Sequence, residues 1–296
     1  MFRMFYGYSN FNQDISSWDV SNVVYMNDMF FYATDFNQDI GYWDVSSVTN
    51  MDSMFGGASS FNGDISGWDV SSVTNMDSMF SGASSFNGDI SGWDTSNVTK
   101  INSMFRYASS FNQDISGWDV SNLDYWYGMD SMFYGAENFD QDISKWDVSN
   151  VNNMYGMFYA ASSFNQDLSN WDVSSVTNMY NMFAYAISFN QDISDWDVSN
   201  VDDMRNMFEG TDDLSEDNKC IIHNSFSSNY YWNYDWEEYC PGEVFQPETR
   251  DELKTAVDEW IANSTEANST YGHINTWDTS LITDMTELFY YNQTFN

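Results

Sequence analysis

The sequence predicts a repeat solenoid in which each 25-residue coil supplies one short parallel strand and one short helical segment. Three observations carry that expectation. Trp18, Trp43, Trp68, Trp93, Trp118, Trp146, Trp171 and Trp196 recur every 25 residues, with one step of 28, and a fixed period of this length marks a repeat architecture. Each repeat contains two apolar spacings, which no single helix or strand produces. Cysteine occurs only at positions 220 and 240, so neither a disulfide framework nor a thiolate metal site holds the first 210 residues.

Within one repeat, Ile65 to Val70 alternates inward and outward around Asp69, as a strand does. Val73, Met76, Met79, Phe80 and Ala83 follow at spacings of three and four, which predicts a turn or two of helix. Gly57, Gly82, Gly135 and Gly210 fall where such a segment ends and suit a left-handed cap. One unit cannot bury its own apolar face, whereas a stack can. Eight or so coils spaced by about 4.8 Å would extend over roughly 40 Å. The single long step comes from three extra residues in the aromatic run Leu123 to Met129.

Residues 1–210 form this repeat region, and it begins inside a repeat, because Met4-Phe5 matches Met29-Phe30. Residues 211–247 break the pattern with the run Asn229 to Trp236, bracketed by the two cysteines. A Cys220–Cys240 disulfide would stabilise this connector by about 3 kcal/mol and would imply an oxidising compartment; two thiols, or pairing to another chain, is the alternative. Residues 248–296 start with a helix, since Thr249 and Glu252 form a capping box and Leu253, Ala256, Val257, Trp260 and Ile261 share one face. A new coil begins at Trp277-Asp278-Thr279-Ser280. The chain therefore reads as the tail of one array and the start of another, a segment of something longer.

Composition narrows the function. There are 45 Asp+Glu against 8 Lys+Arg, giving a net charge of −37, together with 23 Phe, 20 Tyr, 13 Trp and 18 Met. The aromatics distinguish the chain from an acidic disordered region. Eight scattered cations form no phosphate-binding patch, so nucleic acid and anionic membrane surfaces are not expected partners. No apolar run reaches the roughly 18 residues of a membrane-spanning helix. Two histidines, no nucleophile elbow and no phosphate loop leave no catalytic constellation, so no enzyme and no cofactor is expected.

The run from Val73 through Trp93-Asp94, Val-Thr-Asn-Met-Asp-Ser-Met-Phe-Ser-Gly-Ala-Ser-Ser-Phe-Asn-Gly-Asp-Ile-Ser-Gly-Trp-Asp, resembles the repeat of BspA-type leucine-rich-repeat surface proteins, in the 25-residue variety also found in mycoplasma lipoproteins. The resemblance covers residues 1 to about 210 and resumes near the C-terminus. It implies a leucine-rich-repeat-like solenoid, an extracellular or cell-surface location and a role in adhesion or surface structure, with no catalytic residues. The helix after Pro247 is similar to the N-terminal cap that precedes arrays in that family.

Several residue sets are candidate sites. Asp14, Asp39, Asp64, Asp89, Asp114, Asp142, Asp167 and Asp192 form one ladder, with a second at Asp19 and its equivalents. Stacked carboxylates would repel by about 1 kcal/mol per step even in water, so two readings stand: a line of Ca²⁺ sites, or aspartates that cap their own turns. The Asn12, Asn37, Asn62 column reads as a structural amide ladder. Aromatics outside the repeat frame, Tyr125, Trp126, Tyr127, Tyr134, Tyr155, Tyr159, Tyr180 and Tyr185 among them, mark a partner or sugar-stacking surface. Acceptor sequons stand at Asn97, Asn263, Asn268 and Asn292, the Asn263 and Asn268 pair in an expected loop. The function expected is an extracellular structural or adhesive protein that self-associates, end to end or laterally, into a filament or surface layer. The alternative is a solenoid module that recognises glycans or other surface proteins through an exposed aromatic face.

Overall fold

The computed structural model describes residues 1–124, 128–240, 245–272, 274 and 277–286. The chain divides into two compact units, Met1–Tyr234 and Asp235–Asn296.

In the first unit, every second backbone N–H of the Met-rich segment points to the next coil. Met26, Asp28, Phe30 and Tyr32 donate to the carbonyls of Asn50, Asp52, Met54 and Gly56 at 2.7–2.9 Å. The intervening Met29, Phe31 and Ala33 donate three residues back within their own coil. This alternation repeats through the unit, and it needs left-handed backbone at two positions per coil, such as Asp28 (φ 57°) and Tyr32 (φ 55°). A helix cannot form under these conditions, because half its N–H groups are claimed by a neighbour. The helical segment expected over residues 73–83 is accordingly a series of hydrogen-bonded turns, and its spacing of three and four survives because such turns also close over three residues. The strand expected over residues 65–70 is also a turn, with Trp68 N–H donating to Ile65 O. Among the described residues, extended pairing is confined to isolated parallel bridges, Tyr25 to Asn50 to Asn75 to Lys100 and Asn153 to Asn178 to Asp203.

The core is a set of columns. Phe30 and Phe36 stack at 3.8 Å within one coil, Phe55 and Phe61 at 3.9 Å in the next, and Phe30 meets Phe55 at 5.6 Å. All four are fully buried, as are the methionines at positions 26, 29, 51 and 54. The buried indoles from Trp43 to Trp196 each donate Nε1–H to an Ile or Leu carbonyl of the preceding coil at 2.9–3.3 Å. A buried indole donor left without an acceptor would carry a desolvation cost of about 1–3 kcal/mol, so this bond fixes the register of each Trp.

The stack is closed by helix α1, Glu216–Phe226, and the residues after it. Ser215 caps α1 by accepting from Asn218 N–H, while its own N–H donates to Asn190 Oδ1, where another coil would have placed an asparagine. Asn229 donates to the carbonyls of Val198 and Val201, and the Tyr234 hydroxyl accepts from Phe208 N–H. Trp232 and Tyr234 meet the Phe208 ring edge-on at 6.3 and 6.0 Å. The compact unit thus extends past the repeats to Tyr234, because the last coil's apolar face needs a cover. Much of the aromatic run expected as a connector is that cover. Both cysteines are disulfide-bonded.

The second unit contains α2, Arg250–Ala262, and α3, Ser264–Tyr271. The expected capping box is present: Thr249 accepts from Glu252 N–H, and the Glu252 carboxylate accepts from Thr249 N–H. Leu253 and Val257 form a small core with Ile261, Trp277 and Ile282. Asp278 accepts from Ser280 N–H at 2.9 Å, the same turn that the repeats use.

One left-handed column generates a testable asymmetry. It carries Tyr32, Tyr107 and Tyr185, each followed one coil later by Gly57, Gly135 and Gly210. A Cβ added at Gly57 would lie 2.5 Å from the Tyr32 ring. Gly57→Ala should therefore lower stability by about 2 kcal/mol or more in denaturant titration, from left-handed strain plus the clash. Tyr32→Ala in the same chain should recover the clash portion, since Ala160 tolerates the equivalent conformation (φ 53°) where no ring leans on it.

Candidate functional site

The aspartate ladders are built from side-chain-capped turns. Oδ1 of Asp14, Asp39, Asp64, Asp89, Asp114, Asp142, Asp167 and Asp192 accepts the backbone N–H two residues on at 2.9–3.1 Å. The second ladder does the same, from Asp19 to Ser21 through Asp197 to Ser199. Bonds from the following serine hold the carboxyls of Asp64, Asp114, Asp142 and Asp172 below the usual range. Among the described residues no three His, Cys, Asp or Glu side chains come together as a metal site. Turn capping, the second of the two readings, accounts for Oδ1 of each aspartate in the first ladder.

The asparagine column is structural too, by a different bond from amide-to-amide pairing. Asn12 Oδ1 accepts the backbone N–H of Asn37, and the same contact runs through Asn62, Asn87, Asn112, Asp140, Asn165 and Asn190 at 2.8–3.0 Å. Asn97 is exposed, but its amide donates to Ser71 O at 2.8 Å, as Asn122 does to Ser96. Asn263 is the exposed C-cap of α2. Asn268 falls in α3 rather than in a loop; its side chain, and all of Asn292, lie outside the described residues. His223 accepts from Trp232 Nε1–H at 3.1 Å within the cap.

The tyrosines are where the structure gathers something the repeat does not require. Tyr134 and Tyr159 stack at 4.2 Å with 13° between the rings; Tyr107 meets Tyr134 edge-on at 5.2 Å, and Tyr185 meets Tyr159 edge-on at 5.4 Å. Beside them Tyr155 and Tyr180 stack at 5.5 Å. Arg106 lies over Tyr107 and Tyr134, and Arg205 over Tyr180 while pairing with Asp203 at 2.6 Å. The Tyr185 hydroxyl donates to Glu209 at 2.8 Å. Burial, with hydroxyl bonds to Tyr107 and Tyr159, pushes the Tyr134 phenol well above its ordinary value. Five of the expected surface residues thus fall into two ring groups, Tyr134, Tyr159 and Tyr185 in one and Tyr155 with Tyr180 in the other. Tyr125, Trp126 and Tyr127 lie outside the described residues.

Arg106, Arg205 and Tyr107 complete this face, and spacing alone could have placed them. Arg106, Tyr134 and Tyr159 occupy one repeat position; Tyr155, Tyr180 and Arg205 occupy another. In the coils just before, the same positions hold Gly56 and Ser81, or Asp52 and Asp77, while the first coils again carry rings there, Phe2 and the pair Tyr6 and Phe31 stacked at 5.0 Å. Those aspartates are half-buried, and desolvation raises the carboxyls of Asp52, Asp77 and Asp130. Rings therefore stand at both ends of the array, with the small and acidic residues between them.

One protein family, described as Mycoplasma protein of unknown function, DUF285, matches residues 1–70, 40–129, 126–220 and 255–296. No curated protein and no solved structure matches the chain.

Two outcomes follow from these electrostatics. The melting temperature should not move between millimolar Ca²⁺ and excess chelator, since binding to the native state alone would raise it. Asp77→Asn should stabilise the protein at neutral pH. The fold binds the Asp77 proton more tightly than the unfolded chain does, so the charged form costs stability above the raised pKa, and that cost fades as pH falls through it. Asn102 holds the same repeat position, and Asn at 77 still offers an acceptor for Asn102 N–H. Denaturant titration at pH 7 and in acid should show the gain shrinking at the lower pH. The turn-capping aspartates act oppositely: their contribution is present above the ordinary carboxylate value and is lost as pH falls through their lowered values.

Proposed function

For a chain that belongs to the family Mycoplasma protein of unknown function, DUF285, we propose a structural, non-catalytic role at the cell surface, exercised by lateral self-association of the repeat array. We read the stacked coils as a solenoid of leucine-rich-repeat type. The observation that carries the proposal is the aromatic face from Tyr107 to Tyr185. Tyr107 and Tyr185 are 49% and 41% exposed; in the intervening coils the columns that hold the face carry Gly56 and Ser81, or Asp52 and Asp77, and rings return at Phe2, Tyr6 and Phe31 in the first coils. Rings gathered with arginines at positions the core does not require are what a contact surface offers, because Tyr covers a large area at low conformational cost and both Tyr and Arg are enriched at interfaces.

Lateral contact suits the geometry better than end-to-end stacking of this unit, since α1 and the Trp232–Tyr234 segment already cover the last coil. The disulfide fits an oxidising, extracellular setting. A second reading, glycan recognition, is favoured by a cleft of about 570 Å³ at the same end, lined by Asp197, Asn200, Asp202, Ser228, Tyr230 and Tyr231. Tyr230 is 91% exposed there, and no cation lines the cleft, so its ligand would be an uncharged sugar stacked on a ring.

Sedimentation at rising concentration should reveal oligomers that strengthen with salt, because copies carrying a charge of −37 repel until a Debye length of about 10 Å or less screens them. Replacing Tyr107, Tyr155, Tyr180 and Tyr185 with Ser should weaken that association at least tenfold while the far-ultraviolet spectrum stays unchanged. A parent chain that stays monomeric at every salt concentration would remove the self-association reading, and a glycan array would then decide the second one.

A further inference from the structure

The geometry points to Tyr134 and Tyr159 as an oxidative cross-linking site, where a haem peroxidase using hydrogen peroxide joins two successive coils through a dityrosine bond. Their rings leave equivalent positions of adjacent coils, separated by 25 residues. They lie 4.2 Å apart and 13° from parallel. The other tyrosine pairs among the described residues have no such arrangement. Tyr107–Tyr134, Tyr159–Tyr185 and Tyr230–Tyr231 meet edge-on at 72°, 68° and 87°, and Tyr155–Tyr180 stack at 5.5 Å. In a near-parallel pair held this close, the carbons ortho to the two hydroxyls approach van der Waals contact.

The chemistry balances. Each phenol gives one electron and its hydroxyl proton to the peroxide-oxidised haem, leaving two phenoxyl radicals. These couple through a new carbon–carbon bond between ortho Cε atoms. Each bonded carbon then loses its ring hydrogen as a proton while a proton returns to each oxygen, restoring both phenols. Two tyrosines and one hydrogen peroxide give one dityrosine and two waters.

Both rings are half-buried, and exposed neighbours flank them. Tyr107 and Tyr185 touch them on either side, so an oxidant that reaches these outer rings can pass the radical inward through the edge-on ring contacts. Tyr42 and Tyr230 are far more exposed, at 87% and 91%, but each must find a second radical by diffusion. Prealigned groups react with effective molarities of up to about 10⁵–10⁸ M, which at micromolar protein favours the held pair by many orders of magnitude. The resulting bond would tie the coil that contains the three-residue insertion to its successor, adding a covalent link where the repeat spacing is irregular. This inference is independent of self-association.

The test is to treat the full chain at micromolar concentration with a haem peroxidase and hydrogen peroxide, isolate monomer, digest it and sequence cross-linked peptides by mass spectrometry. One dominant species should join the peptides bearing Tyr134 and Tyr159, two hydrogens lighter than their sum. It should vanish in Tyr134→Phe and in Tyr159→Phe, which keep the ring stack, and persist in Tyr42→Phe and Tyr230→Phe. Its yield should drop at least tenfold in denaturant, where the rings are no longer aligned. Absence of dityrosine, dityrosine spread over the exposed tyrosines, cross-links only in dimers, or an unchanged yield in either Phe variant of the pair would each overturn the assignment.

Discussion

Everything in the repeat unit depends on the direction of alternate backbone N–H groups. When Met26, Asp28, Phe30 and Tyr32 donate to the next coil, each coil is held at a fixed offset, and the Met, Phe and Trp columns follow from that offset. The same constraint explains two left-handed residues per coil. Turning successive N–H groups alternately along and across the stack requires backbone that L residues adopt only at a cost of about 1–3 kcal/mol each. Ser, Asn, Asp and Gly fill most of these positions, and tyrosine stands at three of them, where its ring can rest on a glycine one coil later. Strain in one coil is thus coupled to side-chain size in the next.

A chain with 45 acidic residues would be expected to repel itself along any stack. The aspartates of the two ladders avoid much of this because each carboxylate accepts a local N–H, which stabilises its charge where it stands. They are also at exposed turns, where water screens one coil from the next. The half-buried Asp52, Asp77 and Asp130 accept bonds from Ser53, Asn102 and Ser131, but desolvation outweighs them, and the raised pKa values mark the places where acidity opposes the fold. The two ladders put 16 of the 45 acidic residues into turn chemistry, and the half-buried aspartates are the burdened ones.

The repeats are equivalent in their core and unlike on one face. Around Tyr107 to Tyr185 that face carries rings and two arginines; Gly56, Ser81, Asp52 and Asp77 occupy its counterparts in the preceding coils, and Phe2, Tyr6 and Phe31 do so in the first ones. A core column cannot vary without disturbing both neighbours, since Phe80 touches Phe55 and Phe105 at once. The outward positions are free of that demand, so differences among coils gather there. Arg106 over Tyr134 and the Tyr134–Tyr159 stack join coils through side chains as well as through backbone.

The sequence by itself determined the 25-residue period, the side chains that face inward, the Asp–Ser turns and the Thr249–Glu252 capping box, because each is a local pattern whose physical meaning does not depend on distant residues. It also marked Tyr134, Tyr155, Tyr159, Tyr180 and Tyr185 as surplus to the repeat. Only the tertiary structure decided that the segment spaced by three and four is a run of turns rather than a helix. Spacing records which side chains point inward and is silent about which carbonyl accepts each N–H; here the neighbouring coil takes every second one. It likewise decided that the compact unit extends past the repeats to Tyr234, since covering Phe208 with Trp232 and Tyr234 is a contact between residues more than twenty apart with no periodic signal. The pairing of Tyr134 with Tyr159 in parallel, and of Tyr107 and Tyr185 edge-on, was settled there as well, because ring orientation follows from the space that neighbouring coils leave.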